Sequence, residues 1–204
     1  MNRILFILIL SSFLISCVGI KSEIELDDDG SGTLRLSYKV SQMILHLGRL
    51  EDDERVVPLP VNRRDFERTV QSIEGLSLNS YSSREDEENI YIDTELSFQS
   101  IEALSDIFSR SDSGGITLTQ NDKGDTVYTQ VIHRGRGEDI DRDTLEMIET
   151  FFKDYFIEYS LTAPGVIKEA SPGTTGENRK TAVFKVSIPE YIEQLEPLVW
   201  EVIW

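Results

Sequence analysis

Three times along this chain, two short stretches of alternating apolar and polar residues flank a polar turn, and a helical pattern follows. In the first unit Leu34, Leu36, Tyr38 and Val40 alternate with Arg35, Ser37 and Lys39, and Asp27-Asp28-Asp29-Gly30-Ser31-Gly32 supplies the turn back to Lys21–Leu26. Such alternation with a period of two places one set of side chains on each face of a strand, while Gly and Asp tolerate the backbone of a tight turn. Ser41 to Leu50 reads as a short helix, Glu51 to Pro60 as a loop, and Asn62 as the cap of a helix through Glu74 with Phe66, Val70 and Ile73 on one face. The second unit pairs Leu76–Ser82 with Ile90–Phe98 and continues into a helix capped by Ser100, carrying Ile101, Leu104, Ile107 and Phe108. The third pairs Gly115–Gln120 with Thr126–His133. Asp141 then opens the longest helix, to about Lys153, with Leu145, Ile148, Phe151 and Phe152 as its apolar stripe.

Beyond that helix, Tyr155–Thr162 and Thr181–Ile188 read as strands, separated by the Ala163-Pro164-Gly165 break, an extended Val166–Ala170 and a Gly/Ser/Thr-rich turn. The tail Leu198–Trp204 reads as a closing strand or a packed terminus. Helices and hairpins alternate without the spacing of βαβ units. The expected fold class is therefore α+β: a curved, mainly antiparallel sheet with helices packed on one face, as a single domain.

The start of the chain has a different character. Met1-Asn2-Arg3 precedes an apolar run from Ile4 to Ile15, and Ser16 leads to Cys17, the sole cysteine. The run is about 12 residues long, the length of a signal-peptide core and short of the roughly 20 that span a bilayer as a helix. Leu14-Ile15-Ser16-Cys17 looks like a bacterial lipobox, in which the thiol accepts a lipid and the chain is cut before the cysteine. The division that follows is a lipoprotein signal peptide over residues 1–16 and one α+β domain over residues 17–204. Each buried methylene contributes about 0.8 kcal/mol, so two or three acyl chains on Cys17 hold a protein on a membrane. Val18 stands where aspartate would suggest inner-membrane retention, which favours the outer membrane if the host has two. The expected location is the extracytoplasmic side of the cell envelope.

Cleavage there would leave 188 of the 204 residues, and because Arg3 is the only charge removed, the 20 basic and 37 acidic residues become 19 and 37, a formal charge of −18. That charge argues against nucleic acid, whose binding relies on neutralising phosphates, and against adhesion to anionic lipid through a basic patch, so that the tether must supply membrane attachment. With no second cysteine there is no internal disulfide, so packing must supply the stability.

Two stretches carry a family resemblance. Ile24-Glu25-Leu26-Asp27-Asp28-Asp29-Gly30-Ser31-Gly32-Thr33 follows closely on the cysteine, and Leu161-Thr162-Ala163-Pro164-Gly165-Val166-Ile167-Lys168-Glu169-Ala170 precedes the strand Thr181–Ser187. Together they resemble the LppM-like bacterial lipoproteins, with a DGSG-type first hairpin and a late Pro-Gly-x-Val segment. The resemblance implies helices on a curved sheet with an apolar groove, and lipid or glycolipid as ligand. This chain differs in carrying Phe184 where tryptophan is expected.

Other candidate chemistry is thin. Glu25, Asp27, Asp29 and Gly30 match the first positions of a calcium loop, but Leu36 stands where a bidentate Glu is needed and the flanks alternate as strands, so the hairpin reading prevails. The acidic runs Glu51–Glu54 and Glu85–Glu88 read as solvated loops. His46 and His133 are the only histidines, and each reads as a structural or surface residue and not a catalyst. No cofactor and no metal site is expected. Arg134-Gly135-Arg136-Gly137 is the one local basic spot, and Arg134 and Arg136 are candidates for contact with an anionic headgroup or partner. Phe151, Phe152 and Phe184 are the candidate lining of a groove between the long helix and the sheet. The leading expectation is a non-enzymatic, membrane-anchored lipoprotein that binds a lipid, another amphiphile or an envelope protein. The alternative is a structural or interaction lipoprotein, an assembly factor or surface antigen, with a filled core and no small-molecule ligand.

Overall fold

The structure, a computed structural model, describes residues 18–42, 60, 62–109, 114–137 and 140–204. Among the described residues eleven strands form two sheets, and four helices lie around them. In chain order the elements are β1 (Val18–Leu26), β2 (Gly32–Ser41), α1 (Arg63–Gln71), β3 (Leu76–Glu85), β4 (Asn89–Phe98), α2 (Ile101–Ser109), β5 (Ile116–Gln120), β6 (Thr126–His133), α3 (Arg142–Phe152), β7 (Phe156–Thr162), β8 (Glu169–Ser171), β9 (Thr174–Thr175), β10 (Thr181–Ser187), α4 (Ile188–Ile192) and β11 (Leu198–Ile203). The class is α+β, as the alternation of hairpins and helices implies.

The larger sheet has the order β3-β4-β2-β1-β7-β10-β9. All its neighbours are antiparallel except β1 and β7, which run parallel with Ser22 opposite Tyr159 and Ile24 opposite Leu161. The second sheet, β5-β6-β11-β8, is wholly antiparallel. It makes use of the apolar tail: β11 lies between β6 and β8, with Trp200 opposite Gln130.

Local chemistry accounts for the boundaries. In the β1–β2 turn, the Asp27 N–H donates to the Ser31 carbonyl, and the Ser31 hydroxyl and N–H both donate to Asp29. The acidic residues thus close a hairpin. Asn62 caps α1 through the Asp65 N–H at 3.0 Å, Ser100 accepts from the Ala103 N–H, and Asp141 caps α3 through the Thr144 N–H at 2.9 Å. Ser187 and Glu190 form a reciprocal capping box on α4. α1 ends at Gln71 rather than Glu74, because Ser72 and Ile73 turn back on Thr69 and Val70 in the tighter pattern that closes a helix. The expected polar turn after Ala170 contains the short strand β9, paired with β10. Ser41, the expected start of a helix to Leu50, is instead the last residue of β2, paired with Asn89; residues 43–50 and the acidic run at residues 51–54 lie outside the described residues.

The inward faces of the two sheets meet in one core. Leu161, Leu34, Ile132, Tyr128, Trp200 and Val202 are fully buried there. The Trp200 ring, from the second sheet, sits 6.4 Å from both Tyr159 and Phe184 of the first. A smaller cluster of Tyr38, Val40 and Ile92 packs under Phe66 of α1, whose ring lies 5.6 Å from Tyr81. The helix α3 behaves differently from the expectation of its apolar stripe. Leu145 and Ile148 are only half-buried, and the helix lies beside α4. The second sheet already covers inward-facing residues of the large sheet.

Candidate functional site

The residues singled out from the sequence fall in three separate places. Phe184 is in β10, its side chain turned inward with Ala182 and Val186. It stacks on Tyr159 at 6.4 Å and 15° and leans on Trp200. Alternation along β10 fixes that direction, and the ring completes the seam between the sheets. Phe152 is half-buried at the end of α3, its ring edge-on to Tyr155 at 5.8 Å. Phe151 belongs to α3, but its side chain lies outside what is described, as does Cys17. The described ring partners of Phe152 and Phe184 are thus different residues.

Arg134 and Arg136 follow β6 and are exposed. Their loop is held in place by its backbone: the Arg136 N–H donates to the Gln194 carbonyl at 3.0 Å and the Gly137 N–H to the Leu195 carbonyl. Gly135 takes φ +80°, and a Cβ there would meet the Leu195 carbonyl oxygen at 2.5 Å, so only glycine fits. His133 is buried just before the loop, accepting at Nδ1 from the Gly135 N–H and standing edge-on to Tyr191 at 4.8 Å. That is a structural role. Leu195, on the segment between α4 and β11 that holds the loop, is 47% exposed, and Val199 is a second exposed apolar side chain on β11. Two guanidinium groups and exposed aliphatic surface thus share one region.

A feature the sequence reading missed lies on the outward face of the large sheet. A shallow cleft of about 230 Å³ is lined by Glu23, Arg35, Ser37, Ser82, Asp93 and Glu95 among others. Arg35 Nε donates to Glu95 at 2.8 Å, and its Nη1 lies 3.8 Å from Glu25. Asn79 donates to the other Glu95 oxygen. The hydrogen bond from Arg35 holds the Glu95 carboxyl below its ordinary range and Arg35 above its own. That direction is opposite to what a general acid requires. Arg35 and Ser37 were legible as sharing one face by alternation, but the convergence depends on the register between strands 60 residues apart, such as Arg35 opposite Glu95. Among the described residues no group of three or more His, Cys, Asp or Glu side chains is gathered as metal ligands.

The core also holds polar atoms without partners among the described residues: Ser22 Oγ, Gln130 Nε2 and Trp200 Nε1. Gln130 and Trp200 are directly opposite on β6 and β11. The Tyr128 hydroxyl donates to Gln130 Oε1 at 2.7 Å, and burial pushes its own pKa well up.

No family model and no curated protein matches the chain. Among solved structures, it is similar to the folded domain of the Mycobacterium tuberculosis LppM protein, with a TM-score of 0.44 and 11% identity over 92% of this chain and 89% of that one. No helix among the described residues is long and apolar enough to cross a membrane.

Proposed function

We propose that this is a lipid-anchored envelope protein. Acyl chains on Cys17 hold a non-catalytic α+β domain on the extracytoplasmic surface of a membrane. The domain works by contact, with an anionic amphiphile or an envelope protein, and not by turnover. The observation that carries the reading is that Leu14-Ile15-Ser16-Cys17 runs directly into a strand: β1 begins at Val18. A chain cut before Cys17 would keep every strand among the described residues.

The packing of Phe184 against Tyr159 and Trp200 supports contact at the surface over capture in an enclosed groove. Arg134 and Arg136, beside exposed Leu195, are the side chains we assign to the anionic group of the partner molecule. The same filled seam favours a second reading, an interaction lipoprotein with no small-molecule ligand.

The anchor is tested by growing the host with labelled palmitate and taking the intact mass of the purified protein. The expected result is label on the wild type, a mass increase for acyl and glyceryl groups on a chain starting at Cys17, and loss of both in Cys17→Ser. A Cys17→Ser protein that is processed and fractionates with membranes as before would overturn the anchor. Lipid analysis of the extracted protein tests the contact: anionic lipid recovered with wild type and lost in Arg134→Ala/Arg136→Ala supports the amphiphile reading. Recovery of none leaves the interaction reading.

A further inference from the structure

We infer that a row of three cation–aromatic pairs, crossing the large sheet at the end where β1 begins, is the surface that rests on the phospholipid headgroups. This rests on the lipid anchor proposed above and adds the orientation of the domain to it.

The row follows from register. On β3 and β4, Arg84 stands opposite Tyr91, with its guanidinium 4.5 Å from the centre of the ring. Tyr91 stands opposite Lys39 of β2. The Lys39 ammonium lies 4.2 Å over the ring of Tyr155, the residue before α3's successor strand β7. Phe156, the first residue of β7, lies under the ammonium of Lys185 from β10, again at 4.2 Å. Lys39, Tyr91, Phe156 and Lys185 all alternate with inward-facing neighbours, so they share the outward face. Between the two members of the second pair, Lys39 on β2 and Tyr155 before β7, runs Gly19 of β1, where the register with β7 shifts. A Cβ on Gly19 would come 3.4 Å from the Tyr155 ring, so this glycine leaves the ring room to lie over the strand. Six adjacent strands at about 4.8 Å spacing make the row about 24 Å wide.

Its position relative to the anchor is fixed by covalent geometry. Cys17 is one peptide bond from Val18, about 3.8 Å between Cα atoms, and Val18 pairs with Phe156. Acyl chains on that cysteine enter the bilayer with no linker to hold the domain off, so the surface around Val18 meets the headgroups. The residues around Val18 have the chemistry of that layer. Aromatic rings with a polar edge settle at the membrane–water boundary, and Lys and Arg stems reach along apolar surface to present their charge to phosphate. Among the described residues, none of the three cations is within ion-pairing distance of a carboxylate. Lys21, nearby, is by contrast engaged by Glu23 and Glu158.

One end of the row is opposed by charge. Glu85, Asp86, Glu87 and Glu88, at the β3–β4 turn, adjoin Arg84. They lie two to three strands from β1, about 10 to 14 Å and beyond the Debye length of about 8 Å at physiological salt, but they reach the end of β2, where the Gln42 N–H donates to the Glu88 carbonyl. Contact therefore centres on Tyr155, Phe156 and Lys185, with Lys39 at its margin, and the domain tilts its β7–β10 side toward the membrane. The strongly negative body rules out binding by the row alone, which acts once the tether has raised its local concentration.

The test uses the mature lipidated protein in phosphatidylcholine/phosphatidylethanolamine vesicles carrying a nitroxide on the choline headgroup. Tyr155→Trp reports from the row, and Asp28→Trp reports from the β1–β2 turn, about 30 Å away along a nine-residue strand. The fluorescence of Trp200 and Trp204 in the parent is subtracted. Quenching at position 155 is expected to exceed that at position 28 by about three-fold or more, given the strand length, and to fall in Lys39→Ser/Lys185→Ser. Equal quenching, or more at position 28, overturns the inference. If Tyr155→Trp disturbs the fold, Phe156→Trp reports from the same end of the row. Intact mass separates the two readings. Acylated protein with uniform quenching sinks the orientation alone, while protein without acyl groups sinks the anchor and the orientation with it.

Discussion

The Tyr128–Gln130 pair offers a sharp test of how the two sheets are held together. Both residues are fully buried, Tyr128 donates to Gln130 Oε1, and Gln130 Nε2 has no partner among the described residues. Turning the amide over only exchanges which atom is left alone. A buried, unpaired amide donor costs about 1–3 kcal/mol, while the hydrogen bond itself contributes only about 0.5–1.5 kcal/mol net. Tyr128→Phe removes the bond and strands Oε1 as well, so it should destabilise the protein by about 1–3 kcal/mol. Gln130→Met relieves Nε2 but strands the tyrosine hydroxyl, so it should change stability by about zero. Together they remove every polar atom of the pair, and the double variant should be more stable than the parent by about 1 kcal/mol, a rise of roughly 2–4 °C in Tm for a chain of this size. The signs do not add, which makes the cycle diagnostic. Urea unfolding followed by the fluorescence of Trp200, whose ring is 5.9 Å from Tyr128, reads it directly. A double variant less stable than the parent would mean that Nε2 is satisfied, and the reasoning would fail.

Gly135→Ala should destabilise the Arg134–Gly137 loop by about 1–3 kcal/mol, from the positive φ and the overlap with the Leu195 carbonyl; faster amide exchange at Arg136 and Gly137 than in the parent is the readout, and unchanged exchange would contradict it. Asp141 gives a pH dependence with a definite sign. Hydrogen bonds from the Thr144 side chain and backbone hold its carboxyl below the ordinary range, so its support for α3 is present above the unfolded value of about 3.9 and is lost as pH falls through the lower folded value. Protection of α3 amides relative to Asp141→Asn, measured by exchange at stepwise lower pH, should therefore decline in the acid range; a constant ratio would refute the cap's electrostatic part.

What could be read in the sequence was local. Alternation and turn chemistry sufficed for the three hairpins, and the caps Asn62, Ser100 and Asp141 marked helix starts because a side-chain acceptor beside free N–H groups is a short-range signal. Which strands join which sheet was not legible. β1 pairs with β7 across more than 130 residues, and nothing in either strand encodes that choice. The same gap explains the groove of Phe151, Phe152 and Phe184. Alternation told that Phe184 faces inward, but not that a second sheet, carrying Trp200, would be there to meet it. The amphipathic stripe of α3 was real, yet another element covered the face it was assigned to. Lys39 reads as outward-facing by alternation, while Arg84 lies beyond the expected strand Leu76–Ser82, and the arrangement of Arg84, Tyr91, Lys39 and Lys185 as a row is a property of register between strands.

The central position of β1 has a mechanical consequence. Its two neighbours are β2 and β7, and ladder bonds run along both of its edges. A force applied at the front of the chain would act along the strand and not across it. It would therefore load those bonds together, in shear, where an edge strand peeled from its tip would give them up one at a time. Pulled this way, the body yields only when a whole strand slides free, which is what the lipid anchor proposed at Cys17 would demand of it under flow and drag.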